Sequence, residues 1–273
     1  IAQYPNGQMA QMIEYLDDSH TVLIKDEDYY VSGFELNRKA EEEWDLALIE
    51  QEYVEGMTYI LEEEFGNGKV KNKDIGYIYL GKEEDFDANQ IEDVIDAIGH
   101  HKAIILDVRI NGGGSGDIST RIAGAFADGE RLVFTKQTRN GPRHDDFDEK
   151  TPIYTRPIGK TQYLKPVIVL TDRYTVSAGE ELLIHLKSNA HITQIGDTTA
   201  GDFSDISERR ILPNGWSYQY SHQMFFLPDG TSLDGIGHVP DVYVKNTKAD
   251  IRAGNDLVLE RAFEYLFETY GIG

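Results

Sequence analysis

Three short apolar runs, each separated from the next by a segment of helical pattern, constrain the fold most strongly. The runs are Ile75–Leu80, Ala103–Arg109 and Pro166–Leu170, and each has the length of one buried strand. Helices are expected at residues 88–99, 117–127 and 177–188, and a short strand at Ile192–Ile195. Strands that alternate with helices of about ten residues form βαβ units and a largely parallel sheet. The sequence therefore predicts an α/β core.

The two ends of the chain have different patterns. Residues 7–17 and much of 39–64 are expected to be helical, with Gly66–Gly68 ending the second segment. Residues 1–70 are thus predicted to form a small N-terminal helical subdomain, truncated because Ile1 enters it midway, and residues 71–273 the α/β core. Near the other end, antiparallel strands are expected around Asn214-Gly215, followed by a closing helix over residues 255–270.

Composition excludes several classes of function. The formal charge of −22 disfavours nucleic acid and anionic membranes as partners. The chain has no cysteine, so disulfides, thiolate metal sites and cysteine catalysis are excluded. Its longest apolar runs are far shorter than a membrane-spanning helix requires, so no membrane insertion is expected. An extracytoplasmic location (periplasmic, cell-surface or secreted) is favoured over a cytoplasmic one.

Ser177 lies where a buried strand ends and a helix begins. A serine there can present its hydroxyl at the edge of the sheet, beside free helix N–H groups that stabilise an oxyanion. The pattern Ser177-x-x-Glu180 before an apolar run is also a capping box, in which the serine only caps the helix. Both interpretations remain open from this segment alone.

A glycine-rich loop, residues 112–116, follows the second apolar run and precedes a predicted helix. A phosphate-binding loop is disfavoured, because neither the dinucleotide fingerprint nor a following Gly-Lys-Ser/Thr is present. The backbone N–H of Gly113 or Gly114 could instead form an oxyanion hole, or the loop could be no more than a tight turn.

Histidine is the usual base for a serine nucleophile, and the chain has eight. Two candidates remain after the others are set aside, His20 and His238, and each lies in a turn beside a carboxylate: Asp18 for the first, Asp234 and Asp241 for the second. No His-Glu-x-x-His pair or calcium-loop pattern occurs, so no metal site and no cofactor is predicted.

Four blocks in order resemble the tail-specific, or C-terminal processing, serine protease family. They are Asp18-Ser-His-Thr21, Leu106-Asp-Val-Arg-Ile-Asn-Gly-Gly-Gly114, Val176-Ser-Ala-Gly-Glu180 and Gly235-Ile-Gly-His-Val-Pro-Asp241. The resemblance implies a ClpP/crotonase-like α/β core and a glycine region that lines the oxyanion hole. It also implies that Ser177 attacks a peptide carbonyl.

The chain departs from the processing branch of that family at the general base. The branch has a lysine 25 residues after its serine, where this chain has Asp202, and no peptide-binding PDZ insert is evident between residues 25 and 72. Thr198-Thr-Ala-Gly201 is more similar to the branch of the tricorn core and the interphotoreceptor retinoid-binding repeats. The tricorn base histidine lies on the first core strand, where this chain has Tyr77-Ile-Tyr79, so the resemblance does not assign the base.

The sequence as a whole predicts a serine-type peptidase that acts on peptide or protein substrates through an acyl-enzyme on Ser177. His20 is the predicted base and Asp234 the predicted carboxylate. The N–H groups of Ala178 and of Gly113 or Gly114 are the predicted oxyanion donors. The alternative is a non-catalytic protein of the same fold that binds a peptide or a hydrophobic ligand, in which Ser177 is a helix cap.

Overall fold

The structure is a computed structural model, and it describes residues 13, 15–16, 18–25, 28–31 and 43–273. The strands are β1 Val22–Lys25, β2 Asp28–Val31, β3 Val54–Leu61, β4 Phe65–Val70, β5 Ile75–Leu80, β6 Ala103–Asp107, β7 Arg131–Thr138, β8 Thr151–Thr155, β9 Val167–Thr171, β10 Ile192–Gly196, β11 Arg210–Ile211, β12 Ser217–Gln219, β13 Gln223–Phe226 and β14 Val242–Tyr243. The α-helices are α1 Leu46–Leu48, α2 Ile91–Ile98, α3 Gly116–Gly124, α4 Ala178–Lys187, α5 Lys248–Arg252 and α6 Leu257–Tyr270. A π-helical turn, Ile49–Tyr53, follows α1, and a 3₁₀ turn, Ala88–Gln90, precedes α2.

A seven-stranded mixed sheet forms the centre of the molecule, in the order β14-β10-β9-β6-β5-β4-β3. Its strands from β14 to β5 are parallel, whereas β4 and β3 are antiparallel additions at one edge. Helices α2, α3 and α4 cover one face and α6 covers the other, so β6 and β9 are completely buried. This double coverage explains why the central strands are continuous apolar runs.

Two smaller antiparallel sheets lie beside the central one. One has the order β11-β12-β1-β2 and the other β13-β7-β8. The first pairs β1, from the beginning of the chain, with β12, so that Val22 lies opposite Gln219. This long-range pairing holds the turn that precedes β1, residues 18–21, against the core.

The structure confirms the mixed α/β core with its largely parallel sheet and the elements predicted within it. The expected strands correspond to β5, β6, β9 and β10, and the expected helices to α2, α3, α4 and α6. Antiparallel pairing around Asn214-Gly215 is also confirmed, by β11 and β12. Of the predicted helix over residues 7–17, only residues 13, 15 and 16 are described, and they are helical.

The helix predicted over residues 39–64 is confirmed at residues 46–53, as α1 and the π-helical turn. Residues 39–42 lie outside the described residues, and the prediction is wrong at 43–45 and from residue 54 onward, where the chain forms β3. Its hydrogen bonds to β4 outweigh the local helical propensity. Gly66 and Gly68 lie inside β4 rather than ending a helix; a Cβ at Gly68 would stand 2.9 Å from Met57 Sδ, so its absence permits close packing. Residues 54–70 therefore belong to the central sheet, and a separate N-terminal subdomain stays a prediction for the residues before them.

Among the described residues, no helix combines the length and the apolar character needed to cross a bilayer.

Candidate active site

Ser177 lies in a strained turn between β9 and α4. Its backbone has φ 58° and ψ −122°, a conformation that is uncommon for residues other than glycine and that clusters at functional sites. The side chain makes no capping bond to the helix, and within the described part of the chain its hydroxyl has no hydrogen-bond partner. The capping-box interpretation of Ser177 is therefore wrong, and the hydroxyl is available for another role.

A cavity of about 1170 Å³ opens beside this serine. Ser177, His20 and the loop Gly112–Gly114 all line it, although they come from distant parts of the sequence. The carboxyl end of β6 leads into the glycine loop and that of β9 into the Ser177 turn, and ligands of parallel α/β sheets bind at this edge. The cavity thus has the position expected of a substrate-binding cleft.

The glycine loop packs directly against the Ser177 turn. A Cβ at Gly113 would stand only 2.7 Å from Ser177 Cβ, and φ at this residue is +86°. Glycine is therefore required here both by the lack of space and by the backbone conformation. The N–H of Gly113 already donates to Asn111 Oδ1 at 2.8 Å. The described hydrogen bonds leave the N–H groups of Gly114 and Ala178 without an acceptor.

His20 belongs to the turn that precedes β1, and its side chain is only 8 % exposed. Its ring and the carboxylates of Asp18 and Asp202 each provide an atom within 4.8 Å of the other two. The Asp202 carboxylate accepts the backbone N–H of Ser19 at 2.9 Å and also the Ser19 hydroxyl. Asp202 thereby fixes the His20 turn, and its backbone oxygen accepts the N–H of Ser177 at 3.0 Å.

Asp234 lies near the same group. Its Oδ1 accepts the N–H of Phe203 at 3.3 Å. Burial raises the pKa of Asp234 and that of Asp202, and a charged His20 opposes the rise in both cases. Both carboxylates therefore lie close enough to His20 for their charges to interact. No hydrogen bond joins His20 to the Ser177 hydroxyl among the described residues, and such contacts are often loose without substrate.

Glu180 organises the loop that carries Asp202, and sequence reasoning gave it no role beyond a possible cap. Its side chain is fully buried and accepts the N–H of Gly201 and the N–H of Asp202, each at 2.8 Å, and the Thr199 hydroxyl. Burial raises the pKa of Glu180 to about 7. These bonds join the start of α4 to the loop behind Ser177.

The other turn histidine, His238, has a structural environment. Its ring atom Nε2 lies 3.2 Å from the backbone oxygen of Glu180. Its backbone N–H donates to the Thr199 hydroxyl at 2.7 Å. Burial lowers its pKa to about 3, so the ring is neutral at physiological pH. It therefore supports the Glu180 loop, and it is absent from the residues that line the cavity.

The group Asp18, His20 and Asp202 also has the composition of a metal site. Its carboxylates, however, already accept hydrogen bonds from the protein. The Asp18 carboxylate accepts the backbone N–H of His20 and the Ser221 hydroxyl, each at 3.0 Å, and also the Thr21 hydroxyl. These bonds tie Asp18 and His20 into a hydrogen-bonded turn.

Sequence reasoning missed the roles of Ser19 and Asp202. For Asp202 the available signal was positional, because the family resemblance described above singles out this position, 25 residues after Ser177. Ser19 had no signal of its own, since its bond to Asp202 depends on the fold.

Comparison with solved structures defines the class of protein. The fold is similar to that of a putative peptidase from Parabacteroides merdae, with a TM-score of 0.83, 28% identity, and coverage of 94% of this chain and 81% of that one. At lower identity, 23%, the crystal structure of the tricorn protease shares the fold with a TM-score of 0.51 over 71% of this chain and 18% of that one. The architecture is that of a tail-specific protease.

Residues 74–244 match the family model described as peptidase family S41. The chain therefore belongs to this family. It is 30% identical over 197 residues to a carboxy-terminal-processing protease of Bartonella bacilliformis, covering 68% of this chain and 42% of that protein. It is 27% identical over 194 residues to the tricorn protease of Thermoplasma volcanium, covering 71% of this chain and 17% of that protein. The chain thus spans less than half the length of either relative.

Proposed function

We propose that the protein is a serine peptidase whose nucleophile is Ser177. The observation that carries the proposal is the unpartnered Ser177 hydroxyl, held in a strained turn at a cavity that His20 and the glycine loop also line. Family membership supports a peptide or protein as the substrate.

In this mechanism His20 takes the proton of the Ser177 hydroxyl as its oxygen attacks a peptide carbonyl. The carboxylates of Asp202 and Asp234 stabilise the resulting imidazolium. The N–H groups of Gly114 and Ala178 donate hydrogen bonds to the developing oxyanion, and a single donor of this kind contributes roughly 3 kcal/mol to catalysis. His20 then protonates the leaving amine, which leaves an acyl-enzyme ester on Ser177. A water molecule, deprotonated by His20, attacks the ester and releases the second product.

The test is labelling with a fluorophosphonate probe, followed by intact mass and by assay on a peptide library. The wild type should gain one probe mass and cleave peptides, whereas Ser177→Ala should do neither. Ser188→Ala is the matched control, because Ser188 flanks the other end of α4 and its hydroxyl binds the backbone oxygen of His185. Labelling of Ser177→Ala by the probe would refute the assignment of Ser177 as the nucleophile. A wild type that binds peptides and resists the probe would establish the binding-protein alternative.

A further inference from the structure

The cavity beside Ser177 is strongly acidic. Six carboxylate side chains line it, those of Asp45, Glu50, Glu62, Glu63, Glu64 and Glu84. Lys82 is the one lysine or arginine among its described lining residues, and its Nζ lies 3.7 Å from Glu84 and 3.2 Å from Asp85, which is outside that lining. Since this lysine is already paired, most of the negative charge in the cavity is uncompensated.

The turn between β3 and β4 contributes three consecutive glutamates, Glu62–Glu64, to this lining. Glu62 and Glu63 are exposed, and no lysine, arginine or histidine in the described ranges forms an ion pair with either of them. Net charge alone does not explain why uncompensated carboxylates gather at the cleft that contains the nucleophile.

Backbone hydrogen bonds fix this acidic turn relative to the nucleophile. The backbone oxygen of Glu64 accepts the N–H of Gly81 at 2.7 Å, and the oxygen of Gly81 accepts the N–H of Gly112 at 3.1 Å. The turn is thus two hydrogen bonds away from the glycine loop that packs against Ser177. The backbone of the turn is therefore held at the cleft.

Aromatic rings and unpartnered polar atoms in the same cavity also indicate a ligand. Trp44 and Tyr79 stack with their ring centroids 5.2 Å apart, and both line the cavity. Trp44 Nε1 and Nδ1 of the nine-tenths buried His20 are shielded from solvent and have no hydrogen-bond partner. Aromatic faces beside carboxylates attract a cation, and the unpartnered atoms offer contacts to a polar group that enters the cleft.

We propose that this cleft selects peptides that carry a positively charged side chain, lysine or arginine, close to the bond presented to Ser177. The carboxylates attract the ammonium or guanidinium group, and the aromatic pair accommodates its stem. The same field repels acidic side chains and a free C-terminal carboxylate, so the preferred substrate is an internal basic segment. Cleavage of that segment rests on the proposed function, whereas its binding does not.

The experiment uses three labelled peptides that are acetylated and amidated and differ at one central position. This position is arginine, its neutral isostere citrulline, or glutamate. Binding is measured by fluorescence anisotropy on Ser177→Ala, and kcat/KM on the wild type. We expect the arginine peptide to exceed the citrulline peptide by about tenfold in both measurements, and the glutamate peptide to be weakest.

Variants test whether the charge preference comes from the acidic turn. Glu62→Gln combined with Glu64→Gln should lower the arginine-over-citrulline ratio about three- to fivefold and leave the citrulline peptide unchanged. Glu149→Gln, which neutralises an exposed glutamate outside the cavity lining, is the matched control and should leave the ratio unchanged.

The outcomes separate the two proposals. Equal affinity for the arginine and citrulline peptides, no binding of any peptide, or a ratio unaltered by the double variant would overturn the charge preference. An arginine preference in binding without cleavage by the wild type would uphold it and overturn the peptidase. Cleavage of all three peptides at equal kcat/KM would uphold the peptidase and overturn the charge preference.

Discussion

At the scale of single residues, the Ser177 turn stores strain that its neighbours maintain. A non-glycine residue at φ 58° costs on the order of 1–3 kcal/mol. Its N–H donates to the backbone oxygen of Asp202, and its own backbone oxygen accepts the N–H groups of Glu180 and Glu181. Fixing both sides of the residue holds the hydroxyl at the cavity, and the bond to Asp202 is one that a peptide of this segment alone would not make.

Gly113 also packs against this turn, which leads to the first prediction. In Gly113→Ala the added methyl group meets Ser177 Cβ at 2.7 Å and Val176 O at 2.9 Å, so the turn must move. Since misplacing a nucleophile by about 1 Å costs about a hundredfold, kcat/KM should fall at least that far. Gly129→Ala is the control, because its nearest contact is a flexible arginine end at 3.7 Å. Wild-type rates in Gly113→Ala, measured beside thermal unfolding, would contradict the prediction.

The second prediction concerns the carboxylate that supports His20. Asp202 is bonded to the residue next to His20 and lies within 4.8 Å of its ring, whereas the Asp234 carboxylate is bonded to Phe203. Asp202→Asn should therefore lower kcat by about a hundredfold, and Asp234→Asn by less. The rates are measured across pH on purified variants of equal thermal stability. A larger loss in Asp234→Asn would reverse the assignment of the two carboxylates.

The third prediction is a pH dependence of stability that arises from Glu83. This residue is fully buried, and burial raises its pKa from 4.5 to about 8. Its backbone pairs with the glycine loop, since its N–H donates to Gly113 O and its oxygen accepts the N–H of Ser115. Between pH 4.5 and 8 the folded protein binds a proton that the unfolded chain has released, so the stability contributed by Glu83 falls as pH rises.

Glu83→Gln keeps a neutral group at this position and should remove that component. Its free energy of unfolding should rise relative to the wild type by up to about 1.4 kcal/mol per pH unit across this window. Urea titrations at half-unit steps of pH measure the difference. Parallel stability curves for the two proteins would show that Glu83 is already ionised in the folded state.

At the scale of elements, a buried ionic network joins the end of β6 to α6. Arg109, 1 % exposed, binds both oxygens of Asp107, at 2.9 and 2.6 Å, and Asp256 at 2.9 Å. Asp256 in turn caps α6 by accepting the N–H of Leu259 at 3.0 Å. The network therefore fixes the helix that covers the second face of the central sheet.

Removing the buried cation should be strongly destabilising, and this is the fourth prediction. Arg109→Met leaves two buried carboxylates without a counter-charge, which costs about 3–5 kcal/mol. Arg261→Met is the control, because Arg261 lies on α6 and, among the described residues, forms ion pairs with the exposed Glu264 and Glu268 alone, a contribution of about 1 kcal/mol or less. Urea denaturation measures both variants, and equal losses would refute the role of the network.

What could be predicted from sequence follows the same division between local and distant contacts. The buried strands β6 and β9 were recognisable because both of their faces are covered, which leaves a continuous apolar run. Strand β3, residues 54–61, was not recognisable, because it depends on pairing with β4. In the site, Ser177 and the glycine loop follow strand ends and were visible in the sequence. The position of His20 depends on β1 pairing with β12, which no local pattern encodes.

At the scale of the whole molecule, the site is assembled where separate sheets meet. The central sheet carries Ser177 and the glycine loop, while the four-stranded sheet carries the turn with His20. The acidic β3–β4 turn closes a third side of the cavity. The position of Ser177 relative to His20 is therefore a property of the packing of sheets. If the proposed function holds, a change that loosens β1 should lower activity before it affects the core.

The last prediction follows from the net charge of −22. Salt concentration should change stability and peptide binding in opposite directions. Repulsion among the acidic side chains destabilises the compact state, and salt screens it, so Tm should rise by a few degrees between about 20 and about 200 mM sodium chloride. Affinity for an arginine peptide should fall over the same range, because the attraction of the cleft is screened as well. Tetramethylammonium chloride should reproduce both effects, since screening depends on ionic strength and not on the identity of the cation. A Tm that stays constant with salt would show that repulsion among the acidic side chains is negligible. A Tm that rises without a loss of affinity would show that the charged lining does not contribute to peptide binding.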